Sequence, residues 1–242
     1  MLNIFLKEFN TFLNSLIAYI TIAVFLITVG LLTWVFPETS VLDYGYASLD
    51  TLFSLGPYVF LFLIPAITMR SFAEEKKQGT IELLLTRPLN NTQIILGKYL
   101  AGVALCLFTL LPTLIYYYSV YQLGSPAGNL DAAGIMGSYI GLLLLGAVFT
   151  AIGIFASAIT DSQIVAFVVA VFLCFICFTG FSSLAAIDTW GTYANLIEQL
   201  GILYHYDALS RGLIDSRNLV YFVSVIALML MCTNLVLKSN KW

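Results

Sequence analysis

Four cysteines, one histidine, ten basic and thirteen acidic side chains are the reactive groups of this 242-residue sequence. Cys174-x-x-Cys177 has the spacing of half a zinc or redox site, but no second pair completes it. With Cys106 and Cys232 it lies inside long apolar runs, where cysteine is a small, soft packing residue. A single histidine, His205, excludes HExxH and any multi-histidine metal site. Set among Tyr204, Tyr206 and Asp207 it reads as a structural ring in an aromatic interface, with proton sensing as the functional alternative. Gly97-Lys98 would close a phosphate-binding loop, but Thr92 stands where the first glycine is needed. No catalytic, cofactor-binding or metal-ligating residue is expected in this chain.

The densest polar stretch runs from Arg70 to Asn91. Its residues read as a helix continued into water through Gln78, with Glu74, Glu75, Lys76 and Lys77 solvated, and broken at Gly79. Thr80 can cap a new short helix, and Glu82 in its first turn suits the positive end of the dipole. Pro88 disfavours helix at Arg87 and ends it. Asn91 or Thr92 can then cap the next long helix, with Lys98 snorkelling at its base. The short helix would present Ile81, Leu83, Leu84 and Leu85 on the water side of a membrane, facing either a protein groove or lipid headgroups.

The elements around these groups belong to a membrane. Of the residues, 60% are hydrophobic and 10% charged, whereas a soluble domain carries roughly 25% charged. The balance leaves too little polar surface for a water-soluble globule, and no basic stripe for nucleic acid. Six apolar runs reach the roughly 20 residues that cross a bilayer: about 16–36, 51–69, 99–121, 135–159, 164–184 and 219–237. Each closes its backbone hydrogen bonds internally only as a helix, as lipid demands. The expected fold is all-α, a polytopic membrane protein with six transmembrane helices in a single domain, 1–242. The first run is too long for a signal-peptide core and lacks a cleavage site.

Cations set the orientation. With the N-terminus inside, Lys7, Arg70, Lys76, Lys77, Arg87, Lys98, Lys238 and Lys241 are cytoplasmic and only Arg211 and Arg217 external, as the positive-inside rule expects. Both termini are thus expected on the cytoplasmic side of a cytoplasmic (inner) membrane. Residues 1–15 carry Leu2, Phe5, Leu6, Phe9, Phe12 and Leu13 at helical spacing, an amphipathic helix lying along the interface with the lipids. The external segment 187–218 is too long and apolar for a plain loop. Leu196, Ile197, Leu200, Leu203 and Tyr204 recur at helical spacing there, and Asp207 with Arg211 forms an i,i+4 pair. Gly137-x-x-x-Gly141, Ala147-x-x-x-Ala151 and Gly153-x-x-x-Ser157 make a small-residue face that allows close helix approach within or between subunits. Pro65 and Pro112 should kink the second and third spans. No ionisable residue falls within the six runs. Such groups are retained in membranes for function, so machinery for ion coupling is missing and energy for transport must come from elsewhere.

The loop supplies a source. Glu75-x-x-x-Gly79-Thr80-x-Glu82-x-Leu84-Leu85-x-x-Pro88, followed by Gly97-Lys98, resembles the signature loop of ABC-2 type transporter permeases, and the likeness extends over the whole chain. The segment from Leu203 to Asp215 is similar to that of the gliding-motility-associated and copper-maturation permeases, the former more closely. The resemblance implies a type V exporter fold in which 70–91 is a cytoplasmic coupling loop. Glu75, Gly79, Thr80, Glu82, Leu84, Leu85 and Pro88 would meet an ABC ATPase subunit that carries the ATP and Mg. It also implies a second permease copy or paralogue, and an accessory protein with an extracytoplasmic domain. A short re-entrant helix pair would form an outer gate that includes Tyr204, His205, Tyr206, Asp207 and Arg211. The chain would be a permease subunit and not an enzyme. The alternative is a membrane scaffold that transmits mechanical work to an extracytoplasmic machine without moving a solute.

Overall fold

The computed structural model describes residues 2–43, 47–80, 90–187, 193–212 and 215–239. Among them every regular element is helical. Helix α1, Leu2–Leu13, is amphipathic, and Ser15 then caps α2, Leu16–Trp34, by accepting from the Ile17 amide at 3.3 Å. Helix α3, Asp50–Thr68, passes with one irregular residue into α4, Arg70–Lys77. Helix α5, Asn91–Leu110, runs through a 3₁₀ turn, Leu111–Thr113, into α6, Leu114–Leu123. The long α7 is Ala132–Ile159. Helix α8, Gln163–Phe175, widens to a π turn at Ile176–Gly180 and ends as α9, Phe181–Ala185. Two short helices follow, α10, Ala194–Glu198, and α11, Ile202–Ser210, before α12, Ser216–Ser239.

Six stretches are long and apolar enough to cross a membrane: Leu16–Trp34, Asp50–Lys77, Asn91–Leu123, Ala132–Ile159, Gln163–Ala185 and Ser216–Ser239. All six expected runs are there, but the second extends past its apolar C-terminal limit and the third past its N-terminal one. Apolar composition marks the part in lipid; the hydrogen-bonded helix continues until something stops it. For the third, the start falls at Asn90, whose amide donates to Gln93 Oε1 at 3.4 Å. The cap thus sits a residue before the expected Asn91 or Thr92.

Helix α7 is the centre of the bundle. Its apolar window is 78% buried, against 11% for α12, which packs on it from the outside. Helices α3, α5, α8 and α11 surround the rest of α7. The small-residue face is what permits this. A Cβ on Gly137 would meet the Leu209 carbonyl and Gly212, one on Gly141 would meet Leu209 and Tyr206, and one on Gly153 would meet Thr68. These close approaches are all within the chain. The principal core joins Phe25, Phe60, Phe149, Phe178, Tyr206 and Phe222 across five helices and the π turn.

The irregular places in these helices have identifiable causes. Helix α3 holds two prolines, Pro57 as well as the expected Pro65. Just past its C-terminal end the hydroxyl of Ser157, from α7, donates to the Met69 carbonyl at 2.9 Å and accepts from the Phe72 and Ala73 amides at 2.9 and 3.0 Å. It is inserted where the Ala73 amide would otherwise meet Met69, four residues back, which is a recognised way to bend a helix. Pro112 lies in the 3₁₀ turn that separates α5 from α6.

Candidate functional site

The loop between the second and third spans has a well-built stem. Helix α4 ends on a Schellman motif: Gly79 takes φ +68°, its amide donates to Lys76 O at 3.0 Å, and the Thr80 amide donates to Glu75 O at 3.0 Å. Only glycine enters that backbone region without cost, so the break expected at Gly79 has a definite geometry. Thr80 has a part in the preceding helix as well, while the helix it is expected to cap lies outside the described residues. The Thr80 hydroxyl also donates to Glu75 O, at 3.3 Å, so it closes the helix behind it. Residues 81–89 lie outside the described residues, and with them Glu82, Leu84, Leu85 and Pro88.

The stem is tied down on two sides. On one, Lys76 donates to the Ala158 carbonyl at 2.6 Å and faces Asp161 at 3.8 Å, which together with Ser157 binds α4 to the end of α7. On the other, Lys98 Nζ donates to Ser71 O at 2.8 Å, Glu75 Oε1 at 2.9 Å and Glu8 Oε1 at 3.1 Å. It also lies 5.1 Å from the centre of the Phe72 ring. The Lys98 side chain is 2% exposed and that of Glu75 18%.

Two expectations are corrected here. Lys98 does not snorkel into water, and Glu75 and Lys76 are not solvated. Each has a fixed partner close by, and an ammonium with three acceptors is better held inside than extended. Removing one member of a buried ion pair typically costs about 3–5 kcal/mol, so these groups depend on one another. Counting only apolar runs hid the cluster, because Lys98 stands just outside the third run while Glu8 and Glu75 are far from it in sequence. Glu8 was read only as the polar face of α1. Its i,i+4 neighbours carried no signal of a buried lysine. Glu75 Oε2 is buried without a partner among the described residues. A cavity of about 400 Å³ lies beside the cluster, between α1 and α4, and Lys7, Arg70, Glu74 and Thr80 line it.

On the opposite end of the bundle, α11 brings the other candidate residues together only in part. Tyr206 is buried and donates to the Phe53 carbonyl at 2.6 Å. His205 lies flat on Tyr221, ring centres 3.9 Å apart, and meets Tyr204 edge-on. Its ring nitrogens face Asn218 Oδ1 at 2.8 Å and Gln199 O at 2.9 Å. Asn218 and Tyr221, both on α12, were not singled out from the sequence, since neither belongs to a motif. Desolvation by the surrounding helices raises the Asp207 carboxyl above its usual range, opposed by the Arg211 charge and reinforced by Glu198. These two residues are near enough to interact electrostatically, while Tyr206 points away from them into the core. Among the described residues no three His, Cys, Asp or Glu side chains gather as metal ligands, and the four cysteines are free thiols.

Six apolar spans, with α7 at their centre and a rigid polar stem at one end, define a multi-pass helical membrane protein. Residues 2–239 match the family described as ABC-2 family transporter protein. The chain belongs to that family, which makes it a membrane permease subunit of the ABC transporter class, of a kind that in general works with an ABC ATPase. Comparison with curated proteins found no match.

Proposed function

We propose that this chain couples ATP hydrolysis in a separate ABC ATPase, which holds the ATP and Mg, to export or extracytoplasmic work, as in the gliding-motility-associated permeases. The loop 70–91 is the coupling element, and the ATPase binds it from the cytoplasm. Leu84 and Leu85 fill a hydrophobic groove in the partner, and Glu82 meets a cation or a helix N-terminus there. A second copy or a paralogue supplies the other six spans. Both termini face the cytoplasm, and α10 and α11 form an external, re-entrant gate.

One observation carries the reading. The chain enters residues 81–89 from a stem closed by the Gly79 turn and cross-linked to α7 through Ser157 and Lys76, and to α5 through Lys98. A loop meant only to join two spans needs no such anchoring. A load applied at the loop, by contrast, would reach the central helix directly.

Pull-down of the ATPase by two variants tests this. Leu84→Asp should release the ATPase while membrane insertion stays intact, since burying an unpaired charge in the groove is costly. Glu82→Ala should retain it and lower transport-coupled ATP turnover, because a rim charge orients more than it holds. Retention of the ATPase by Leu84→Asp at wild-type yield refutes the assignment and favours leucines that merely touch headgroups.

A further inference from the structure

Among the described residues the Lys98 cluster is the principal polar link between α1, α4 and α5. Its acceptors come from α1, through Glu8, and from α4, through Ser71 O and Glu75, while Lys98 itself stands on α5. Lys7 adds a weaker contact at the rim, 3.5 Å from Glu8 and 4.0 Å from Glu75. Otherwise α1 is held by apolar contact. Ile4 lies against Gly97, where a side chain would collide with it, and Phe9 meets Phe108 with ring centres 5.5 Å apart. Apolar contact resists separation but permits sliding. Three hydrogen bonds from one buried ammonium fix direction as well as distance.

We propose that Lys98 is a positioning residue that locks the interfacial helix α1 to the stem of the cytoplasmic loop, so that α1, α4 and the base of α5 move as one block. The inference rests on the coupling role proposed for the loop. It adds that the ATPase stroke is delivered to α1 and the third span as well as to the second. A buried ion cluster is a poor device for stability alone, since well-packed apolar residues of similar volume usually serve as well or better. Its use is in fixing one arrangement.

The test is a dipolar-coupling measurement between nitroxides at Thr11, on the exposed side of α1, and Gln78, at the end of α4. It uses the full chain in lipid nanodiscs, with its four cysteines replaced and with its co-purified ATPase. Samples are compared without nucleotide and with a non-hydrolysable ATP analogue. The wild-type background should give a narrow distribution that nucleotide leaves unchanged. Lys98→Met should broaden it and make it respond to nucleotide. Glu8→Gln, which cuts only the α1 arm, should do the same, and this variant serves if Lys98→Met fails to fold. Lys98→Arg should restore the narrow distribution. Tyr206→Phe controls for loss of stability, since it removes a buried hydrogen bond to Phe53 O at the other end of the bundle and should leave the distribution narrow. A wild-type distribution in both Lys98→Met and Glu8→Gln overturns the proposal. If wild-type chain captures no ATPase, the coupling reading fails by itself. The lock is then decided on the isolated chain, where Glu8→Gln must still broaden the distribution.

Discussion

The Tyr206 hydroxyl donates to the carbonyl of Phe53 at 2.6 Å, across 153 residues of sequence. Phe53 is four residues before Pro57, inside α3. Its carbonyl is therefore the one that the missing proline amide leaves without a helical donor. In a membrane interior such an acceptor has no water to turn to. A side chain from α11 meets this need, and thereby fastens the segment before the sixth span to the second span.

Removing that hydroxyl should be costly only while the proline is present. Tyr206→Phe leaves a buried carbonyl unsatisfied, a loss of about 1–3 kcal/mol. In a Pro57→Ala background the restored amide can bond Phe53 directly, and the same substitution should cost much less. Thermal unfolding in detergent of the four proteins of this cycle measures the difference. Equal costs in both backgrounds would show that the hydroxyl serves some other need.

Ser157→Ala should destabilise the stem of the loop between the second and third spans. The hydroxyl has three partners, the Met69 carbonyl and the Phe72 and Ala73 amides. If α4 straightens, the Ala73 amide can recover Met69, so the loss should be partial, about 1–2 kcal/mol. Straightening would shift the end of α4 away from Ala158, and Lys76 would lose its carbonyl. Hydrogen exchange at residues 72–78 should rise accordingly, and unchanged protection there would contradict the account.

How much of this could be read from residues alone follows from what each feature depends on. The six spans are properties of contiguous composition, and so is the break at Gly79, which no other residue type marks as clearly. The three-element cluster at Lys98 is not contiguous: Glu8 and Lys98 are 90 residues apart, and each alone has an ordinary surface explanation. Likewise Tyr206 and Pro57 have no visible connection until α11 is seen against α3. The small-residue face of α7 was legible as a packing face, but sequence left open whether its partner lay within the chain. Observed neighbours place Leu209, Tyr206 and Thr68 against it. The extension of the second span into α4 was read correctly, whereas the fate of its charges was not, since solvation was assumed where a partner was present.

Sidedness can be probed at sites the structure makes suitable. Lys76 is tied to Ala158 and poorly accessible, so the neighbouring exposed Lys77 is the better cysteine position on the loop stem. Asn195, exposed on α10, serves for the other end. A membrane-impermeant maleimide should label Asn195→Cys in intact cells and Lys77→Cys only after permeabilisation. Labelling of both in intact cells, or of neither until the cells are permeabilised, would require a span to be lost or added between them.

The last prediction separates glycines that face backbone from glycines that face a movable side chain. A Cβ on Gly137 would collide with the Leu209 carbonyl and the Gly212 backbone at the end of α11, neither of which can rotate away. On Gly146 it would come within 3.3 Å of Cys106 Sγ, a soft side-chain atom that a small shift accommodates. Gly137→Ala should therefore cost about 1–3 kcal/mol, in the range of overpacking, and should loosen α11 in particular. Gly146→Ala should be close to neutral, because the helix propensity gained by alanine offsets the adjustment. Limited proteolysis of the segment after Ser210 and thermal unfolding together report the two effects. Gly137→Ala should be cut faster there than wild type, and Gly146→Ala at the wild-type rate. If instead the Gly137 side of α7 packed against a second subunit, Gly137→Ala would weaken subunit association and leave cleavage after Ser210 unchanged. Chemical cross-linking run on the same samples distinguishes that pattern, and finding it would overturn the assignment of α7 as the internal axis on which α11 is seated.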